Sequence, residues 1–470
     1  MNIEFNDNFD DIEDKGISKS AKRFEEMLSN NESHYLNEET YESLSEFYIE
    51  KLEWELAKKA CQIGLSQYPY SLELLLNRTQ LHVNELEYED AQELLETAAM
   101  FFPSDTEILY MKGVILNLTG EYNAALELLQ KALLLSDQKE DICFQIGQTF
   151  QNLNDFENAV LNYKEAIKLG SENEVAYLEL VYSLEFLNQL ETNIDYFKSL
   201  TDNQPYSHYA WFCLGLAQNR LKKYPDAIKS FDFSVVIKDD FASGWFNLAH
   251  VYMNEEDYER AIQGYTKTLE IEKPSAEVLT YLAASYEKSG DFLTAFNTYK
   301  KATELDERWD EAWYGMASVL YEQEKWIEAI HFAKKASSLA SFNSDYLLLE
   351  GDIEAKLGNE ISCISAYERA ANLDPENIDI WLNWSLFYFE LEEYENAFEV
   401  IKNGLKEVPD EADLYYHATV FLVYAGNYKQ AYKFLHDGLT LDFEAHEQIY
   451  SYFPNLKTQK ALFRIIEQYK

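Results

Sequence analysis

Apolar and polar residues alternate along this chain with the period of an α-helix, and the helical stretches come in pairs. In WFNLAHVYMNEEDYERAIQGYTKTLEI, which begins at Trp245, residues Trp245, Leu248, Ala249 and Tyr252 fall at i, i+3, i+4 and i+7 and share one face. Ala261, Ile262, Tyr265 and Leu269 do the same on a second helix. The polar NEED between them has the length of an antiparallel helix hairpin.

The hairpin recurs. Stepping by 34 residues from Ala261 gives Ala57, Ala91, Ala125, Ala159, Asn193, Ala227, Ala261, Ala295, Ala329, Cys363, Ala397 and Ala431, ten alanines in twelve without insertion or deletion. Three residues before each, ten of twelve are aromatic, from Trp54 and Tyr88 to Tyr394 and Tyr428. Seven residues after each alanine, and again twelve before it, the side chain is small in nearly every copy. Small residues let neighbouring helices approach, and aromatics fill the gaps between hairpins. One hairpin cannot bury its apolar faces alone, whereas stacked hairpins share a continuous core. Four copies place glycine in the turn, Gly120, Gly290, Gly358 and Gly426, where a helix ends on a left-handed residue. Pro225 opens a second helix, where its missing N–H costs little.

The register resembles that of the tetratricopeptide repeat family. Trp211, Leu214, Gly215, Ala227 and Phe231 follow its signature, as do Trp245, Leu248, Tyr252 and Ala261, with a late proline at Pro69, Pro103, Pro205, Pro375 and Pro409. The resemblance implies an all-α fold, a right-handed α-α superhelix (solenoid) of helical hairpins. The expected organisation is an acidic disordered tail over 1–16, a capping helix over 17–37, twelve repeats over 38–445 and C-terminal capping helices over 446–470. Phe24, Met27 and Leu28 make the first cap amphipathic; Ala461, Leu462, Ile465 and Ile466 do so for the last. The fifth repeat, 174–207, breaks the register with Val181, Leu190, Asn193 and Leu200. Larger residues there are either ordinary degeneracy compensated by adjacent residues or looser stacking that makes a lobe boundary, and a buried Asn193 needs a partner.

Composition narrows the function. The formal charge is −45, from 39 basic and 84 acidic residues, so binding to phosphate backbones or anionic membranes is not expected. The charge fits a soluble, extended array, or an acidic face for basic partners. Residues MNIEFNDNFDDIED lack a secretory signal, no apolar run reaches membrane-spanning length, and cytoplasm is the default location. Cys61, Cys143, Cys213 and Cys363 are scattered, the eight histidines show no metal-ligand spacing, and no cofactor motif is present. No catalytic domain is expected, because the repeats account for nearly the whole chain.

The resemblance implies binding of peptides or proteins in a groove lined by first helices, with an asparagine reading the ligand backbone. The matching residues are Asn77, Asn247 and Asn383, with Gln145 as a possible substitute. An amide offers both donor and acceptor to any peptide bond. Residues 208–343 are the least acidic stretch, 15 basic against 21 acidic. Arg220, Lys288 and Lys356 share one register expected to face inward. The candidate groove is therefore built from Asn247, His250, Asn254, Arg220, Lys288, Tyr281 and Tyr314 in repeats six to nine. A co-chaperone type of carboxylate clamp is disfavoured, since Glu39, Glu42 and Glu107 stand where cations are required. Two readings stay open, an adaptor that binds a protein or peptide segment, and a structural subunit of a larger assembly or homo-oligomer. A third is self-regulation, with Phe5, Phe9 and the acidic tail occupying the groove.

Overall fold

The computed structural model describes residues 10–30, 35–452, 460–467 and 469. Every element among the described residues is helical. First helices begin at Glu38, Leu72, Thr106, Glu140, Glu174, His208, Ala242, Ala276, Asp310, Ser344, Ile378 and Ala412, a spacing of 34 without exception. Second helices keep the same spacing from Trp54 to Tyr428, except in repeat five.

Local chemistry sets these boundaries. Eight of the first helices have an Asn, Ser or Asp cap whose side chain accepts a backbone N–H of the first turn. The Trp of the signature secures the loop before its own helix. Trp211, Trp245, Trp313 and Trp381 each donate their indole N–H to a carbonyl six residues earlier, that of Pro205, Asp239, Glu307 and Pro375. Between the helices of each pair, one residue adopts a left-handed backbone in all twelve copies. Glycine fills it four times; Leu52, Leu86, Asn154, Asn188, Lys222, Glu256, Glu324 and Glu392 fill the rest at φ between 55 and 64°.

The chain forms two compact units, residues 1–230 and 231–470. The division lies in the helix Tyr224–Ile237, one repeat beyond the lobe boundary expected over 174–207. Inside each unit, most successive helices pack in chain order, and most first helices also touch the first helix of an adjacent repeat. The small positions are the contact points: Ala57, Ala91, Ala125 and Ala159 in the first unit and Ala261, Ala295, Ala329, Cys363, Ala397 and Ala431 in the second are wholly buried.

Repeat five departs from this in the expected direction. Val181 and Leu200 are buried where other repeats carry small side chains, and the hairpin's own helices barely touch. Its second helix opens as a 3-10 turn, Glu191–Asn193, and continues as a short α-helix, Ile194–Asn203. Asn193 is half-buried rather than buried, accepts from Lys164 Nζ at 2.6 Å and donates to the Gln189 carbonyl. The unit does not divide here because Glu174–Phe186 still packs on Phe156–Lys168 behind it and on His208–Arg220 ahead.

The N-terminal helix, Asp10–Ser29, includes residues 10–16 that were expected in the disordered tail; residues 1–9 lie outside the described residues. Phe24 and Met27 are buried against Tyr41, Leu44 and Tyr48, which covers the first repeat. At the other end, Ile465 and Ile466 of the helix Lys460–Glu467 join the core of the last repeats; the side chains of Ala461 and Leu462 lie outside the described residues.

Leu86 sits at φ 64° with 70% of its surface exposed, so it bears left-handed strain without compensating burial. A Cβ in that region costs roughly 1–2 kcal/mol, partly offset by the entropy glycine loses on folding. Leu86→Gly is therefore expected to raise the urea midpoint of the array, by a stability gain of up to about 1 kcal/mol. An unchanged or lowered midpoint contradicts this.

Candidate functional site

The first-helix face is shaped from the core outward. At one register of the second helix, four repeats carry a tyrosine: Tyr163, Tyr265, Tyr299 and Tyr367. Its ring needs space at the helix crossing. Gly147 and Gly351 provide it, since a Cβ there would lie 2.6 and 2.7 Å from the Tyr163 and Tyr367 rings. Gly315, in the next repeat, does the same for Tyr299 at 2.2 Å. The hydroxyl can then reach through to acceptors on the first helices. Tyr163 donates to Gln151 Oε1 at 2.8 Å, Tyr299 to Glu287 Oε2 at 2.8 Å, and Tyr367 to Asp352 Oδ1 at 2.6 Å.

Tyr265 is the exception. Met253 occupies the register at which Gln151 and Glu287 accept, and its sulfur already takes the Ser285 hydroxyl at 3.0 Å. Among the described residues, the wholly buried Tyr265 hydroxyl has no hydrogen-bond partner. Around it lies an aromatic cluster. The His250 ring is 4.3 Å from Tyr281 and 4.8 Å from Phe246, and Tyr265 stacks on Tyr281 at 6.0 Å and 16°. Burial lowers the His250 pKa to about 4, so the ring is neutral near pH 7 and adds no positive charge.

Of the residues selected from sequence, the second unit thus brings His250 and Tyr281 into direct contact. Tyr314 lies apart from them and stacks on Tyr346 at 4.7 Å. Asn254 and Lys288 are exposed at the ends of their first helices. The asparagines are committed internally. Asn247 donates to its own helix at the Ser243 carbonyl (2.9 Å), Asn77 to Ser45 Oγ (2.8 Å), and Asn383 to both oxygens of Asp352 (3.1 and 3.2 Å). The Asn77 and Asn383 amides thus bridge adjacent repeats, and that of Asn247 is held within its own helix.

The inward cations are also mostly spoken for. Arg220, in the first unit, pairs with Glu185 at 3.4 Å and lines a cavity of about 400 Å³ with Gln151, Glu179 and Tyr182. Lys356 pairs with Glu390 at 3.7 Å. Lys288 has no ion pair within 4 Å among the described residues.

Acidic side chains dominate the start of the same face. Glu39, Glu73, Glu107 and Asp141 occupy the second residue of four successive first helices, as do Glu277, Glu311, Asp345, Asp379 and Asp413 in the second unit. Burial, together with neighbouring carboxylates, raises the pKa of Glu73, Glu107 and Asp141. The start of these first helices therefore repels a carboxylate, which is why a carboxylate clamp there is disfavoured.

Sequence reasoning missed Asp352. It lies on the first helix of repeat ten, Ser344–Lys356, and opens into a cavity of about 130 Å³ lined by Tyr321, Lys356, Tyr367, Asn383, Leu386 and Phe387, among others. Burial pushes its carboxyl up to about 6, against the hydrogen bonds from Tyr367 and Asn383 and the charge of Lys356. The available signal was the coincidence of Gly351 with Tyr367, which marks a ring reaching the inner face. One other titratable group forms among the described residues: His82, Glu85 and Glu87 bring ligand atoms within 4.8 Å of one another. His82 Nδ1 is engaged by Glu87 at 2.6 Å and Glu85 by Lys58, so this turn is already internally paired.

The hydroxyl register yields a paired test. Tyr265→Phe removes a donor that has no acceptor, and stability is expected to stay within about 0.5 kcal/mol or rise. Tyr299→Phe deprives the Glu287 carboxylate of a donor and is expected to cost about 1–3 kcal/mol. Denaturation of both variants beside wild type checks the contrast, and equal losses refute it. His250 supplies a pH test. Its pKa falls on folding from 6.5 to about 4, so its contribution is complete above pH 6.5 and is lost as pH falls toward 4. Ring NMR is expected to show neutral His250 at pH 5.5, and His250→Phe to flatten that part of the stability profile.

A family model described as the tetratricopeptide repeat protein 21 C-terminal ARM domain matches residues 188–356. Two tetratricopeptide repeat models match residues 140–173 and 77–140. No curated protein matches the sequence. Among solved structures, the chain is similar to the APC/C hetero-tetramer Cut9-Hcn1, at 15% identity, 90% of this chain, 94% of that chain and a TM-score of 0.43. It is similar to YrrB, described as a TPR protein with an unusual peptide-binding site, at 16% identity, 39% and 95% coverage and a TM-score of 0.33. It is also similar to MamA, at 24% identity, 34% and 95% coverage and a TM-score of 0.29. With twelve hairpins in one unbroken register of first helices, and repeat models falling on them between residues 77 and 356, the chain is a tetratricopeptide repeat protein.

Proposed function

We propose that this protein is a non-catalytic adaptor whose first-helix face binds a segment of a partner protein. The observation that carries the reading is the unsatisfied chemistry of repeats seven and eight. Elsewhere on this face the hydroxyls of Tyr163, Tyr299 and Tyr367, the Asn383 amide, and Arg220 and Lys356 are paired within the array. Here, among the described residues, the Tyr265 hydroxyl has no acceptor and Lys288 has no carboxylate within 4 Å, and the rings of Phe246, His250 and Tyr281 are only half-buried. A half-exposed aromatic cluster, with the exposed Lys288 at the end of the helix that carries Tyr281, offers a ligand both apolar area and a charge partner. An extended segment with an apolar residue followed by a carboxylate fits this pairing.

A second reading rests on a different surface. Leu293, Ile327 and Ile361 occupy one register near the start of the second helices in repeats eight to ten, and are 72, 81 and 87% exposed. The same register carries Glu55, Glu89, Glu157, Glu259 and Glu395 in other repeats. Three aliphatic side chains in line, each open to water, favour a structural subunit that buries them in an assembly.

Affinity capture from lysate, read by mass spectrometry, separates the two. Wild type is run beside His250→Ala/Lys288→Glu and Ile327→Asp/Ile361→Asp, with circular dichroism confirming that all are folded. The groove reading expects a partner depleted at least roughly tenfold by the first double variant and retained by the second. The reverse pattern assigns binding to the second-helix surface and overturns it.

A further inference from the structure

We propose that the cavity of repeats nine to eleven is a receptor for one cationic side chain, lysine or arginine, of a bound protein segment; this rests on the groove reading above. The site is assembled from three first helices and one second helix. Asp352 forms its floor, held by the Tyr367 hydroxyl at 2.6 Å and the Asn383 amide at 3.1 Å. Tyr321 comes from repeat nine, and Leu386 and Phe387 from repeat eleven. Lys356 and Glu390 are both exposed and pair with each other at 3.7 Å.

Charge decides the ligand. Lys356 and Glu390 offset one another, which leaves the cavity with the single negative charge of Asp352. That carboxylate is met only by a neutral hydroxyl and a neutral amide, although an ionised carboxylate has about four acceptor sites. A largely desolvated carboxylate on which Lys356 acts only through space, without an ion pair within 4 Å among the described residues, bears an incompletely offset desolvation cost. Its raised pKa reports the same deficit. An ammonium or guanidinium group entering the cavity offsets it with a charge-assisted hydrogen bond. The aromatic rings of Tyr321 and Phe387 attract a cation, and Ala355 and Leu386 suit the methylenes of its stem. A volume of about 130 Å³ admits such a head group and part of its stem. An anionic side chain meets Asp352 and Glu390 and is excluded.

The test uses the full chain with methyl-labelled Ala and Leu, and reads the Ala355 and Leu386 methyl resonances. Nα-acetyl-arginine amide and Nα-acetyl-lysine amide are titrated separately, with Nα-acetyl-norleucine amide as the uncharged control. The expected result is a saturable shift with at least one cationic probe, and the two arms tell guanidinium from ammonium. Norleucine amide is expected to leave the resonances unmoved. Asp352→Asn, which keeps the side-chain shape, is expected to weaken binding at least roughly tenfold. Leu386→Trp, which fills the cavity and leaves Asp352 in place, is expected to abolish it. The proposal is overturned if norleucine amide binds as well as the cations, if Asp352→Asn binds unchanged, or if neither cation gives a saturable shift. Because the titration needs no partner protein, it separates the two readings. A partner captured through His250 and Lys288, with no saturable shift here, overturns the cavity and leaves the groove. Saturation here supports the cavity, whether or not such a partner is found.

Discussion

The close approach of helices at small residues is the constraint on which the rest of this structure depends. Where Gly147, Gly315 and Gly351 stand at a crossing, the backbones come near enough for a tyrosine of the same or the adjacent repeat to close the remaining space. A hairpin alone would leave that surface wet, so each repeat is stable only through the next. Two ends remain in such a scheme, and Phe24 and Met27 at one and Ile465 and Ile466 at the other cover them.

Repeat five shows how the constraint behaves when it is relaxed. Val181 and Leu200 hold its two helices apart, and the second helix starts late through a 3-10 turn. The array continues nonetheless, because the contacts to the repeats on either side substitute for those within the hairpin. The polar Asn193 that replaces alanine finds Lys164 instead of sitting unpaired. Degeneracy in one unit is thus absorbed by its neighbours rather than ending the core.

The same packing creates the chemistry of the inner face. A tyrosine that enters the crossing, with a glycine making room, carries its hydroxyl through to the first helices. Most copies provide an acceptor, so the hydroxyl is absorbed into the fold. In repeat seven the acceptor is replaced by Met253 and the polar group is stranded beside His250 and Tyr281. In repeat ten the acceptor is Asp352, whose burial raises its pKa against the charge of Lys356, a cation that itself pairs with Glu390. Core packing and ligand chemistry are therefore the same side chains seen from two sides.

The sequence by itself determined the architecture. Its 34-residue comb marked every first helix, all twelve hairpins and the disturbed repeat, because small and aromatic residues at fixed spacing permit few other packings. It also singled out His250, Tyr281 and Lys288, which share the first-helix face by helical periodicity alone. Only the tertiary structure decided which polar groups remain free. Asn77, Asn247 and Asn383 read as ligand contacts from their register, yet each donates within the array. Arg220 and Lys356 carry charge inward but are answered by Glu185 and Glu390. For Asp352 the sequence offered only the indirect pairing of Gly351 with Tyr367, since its importance comes from side chains contributed by three repeats. Pairing is a property of distances between residues about 30 positions apart, and periodicity fixes the face a side chain takes without fixing its partner.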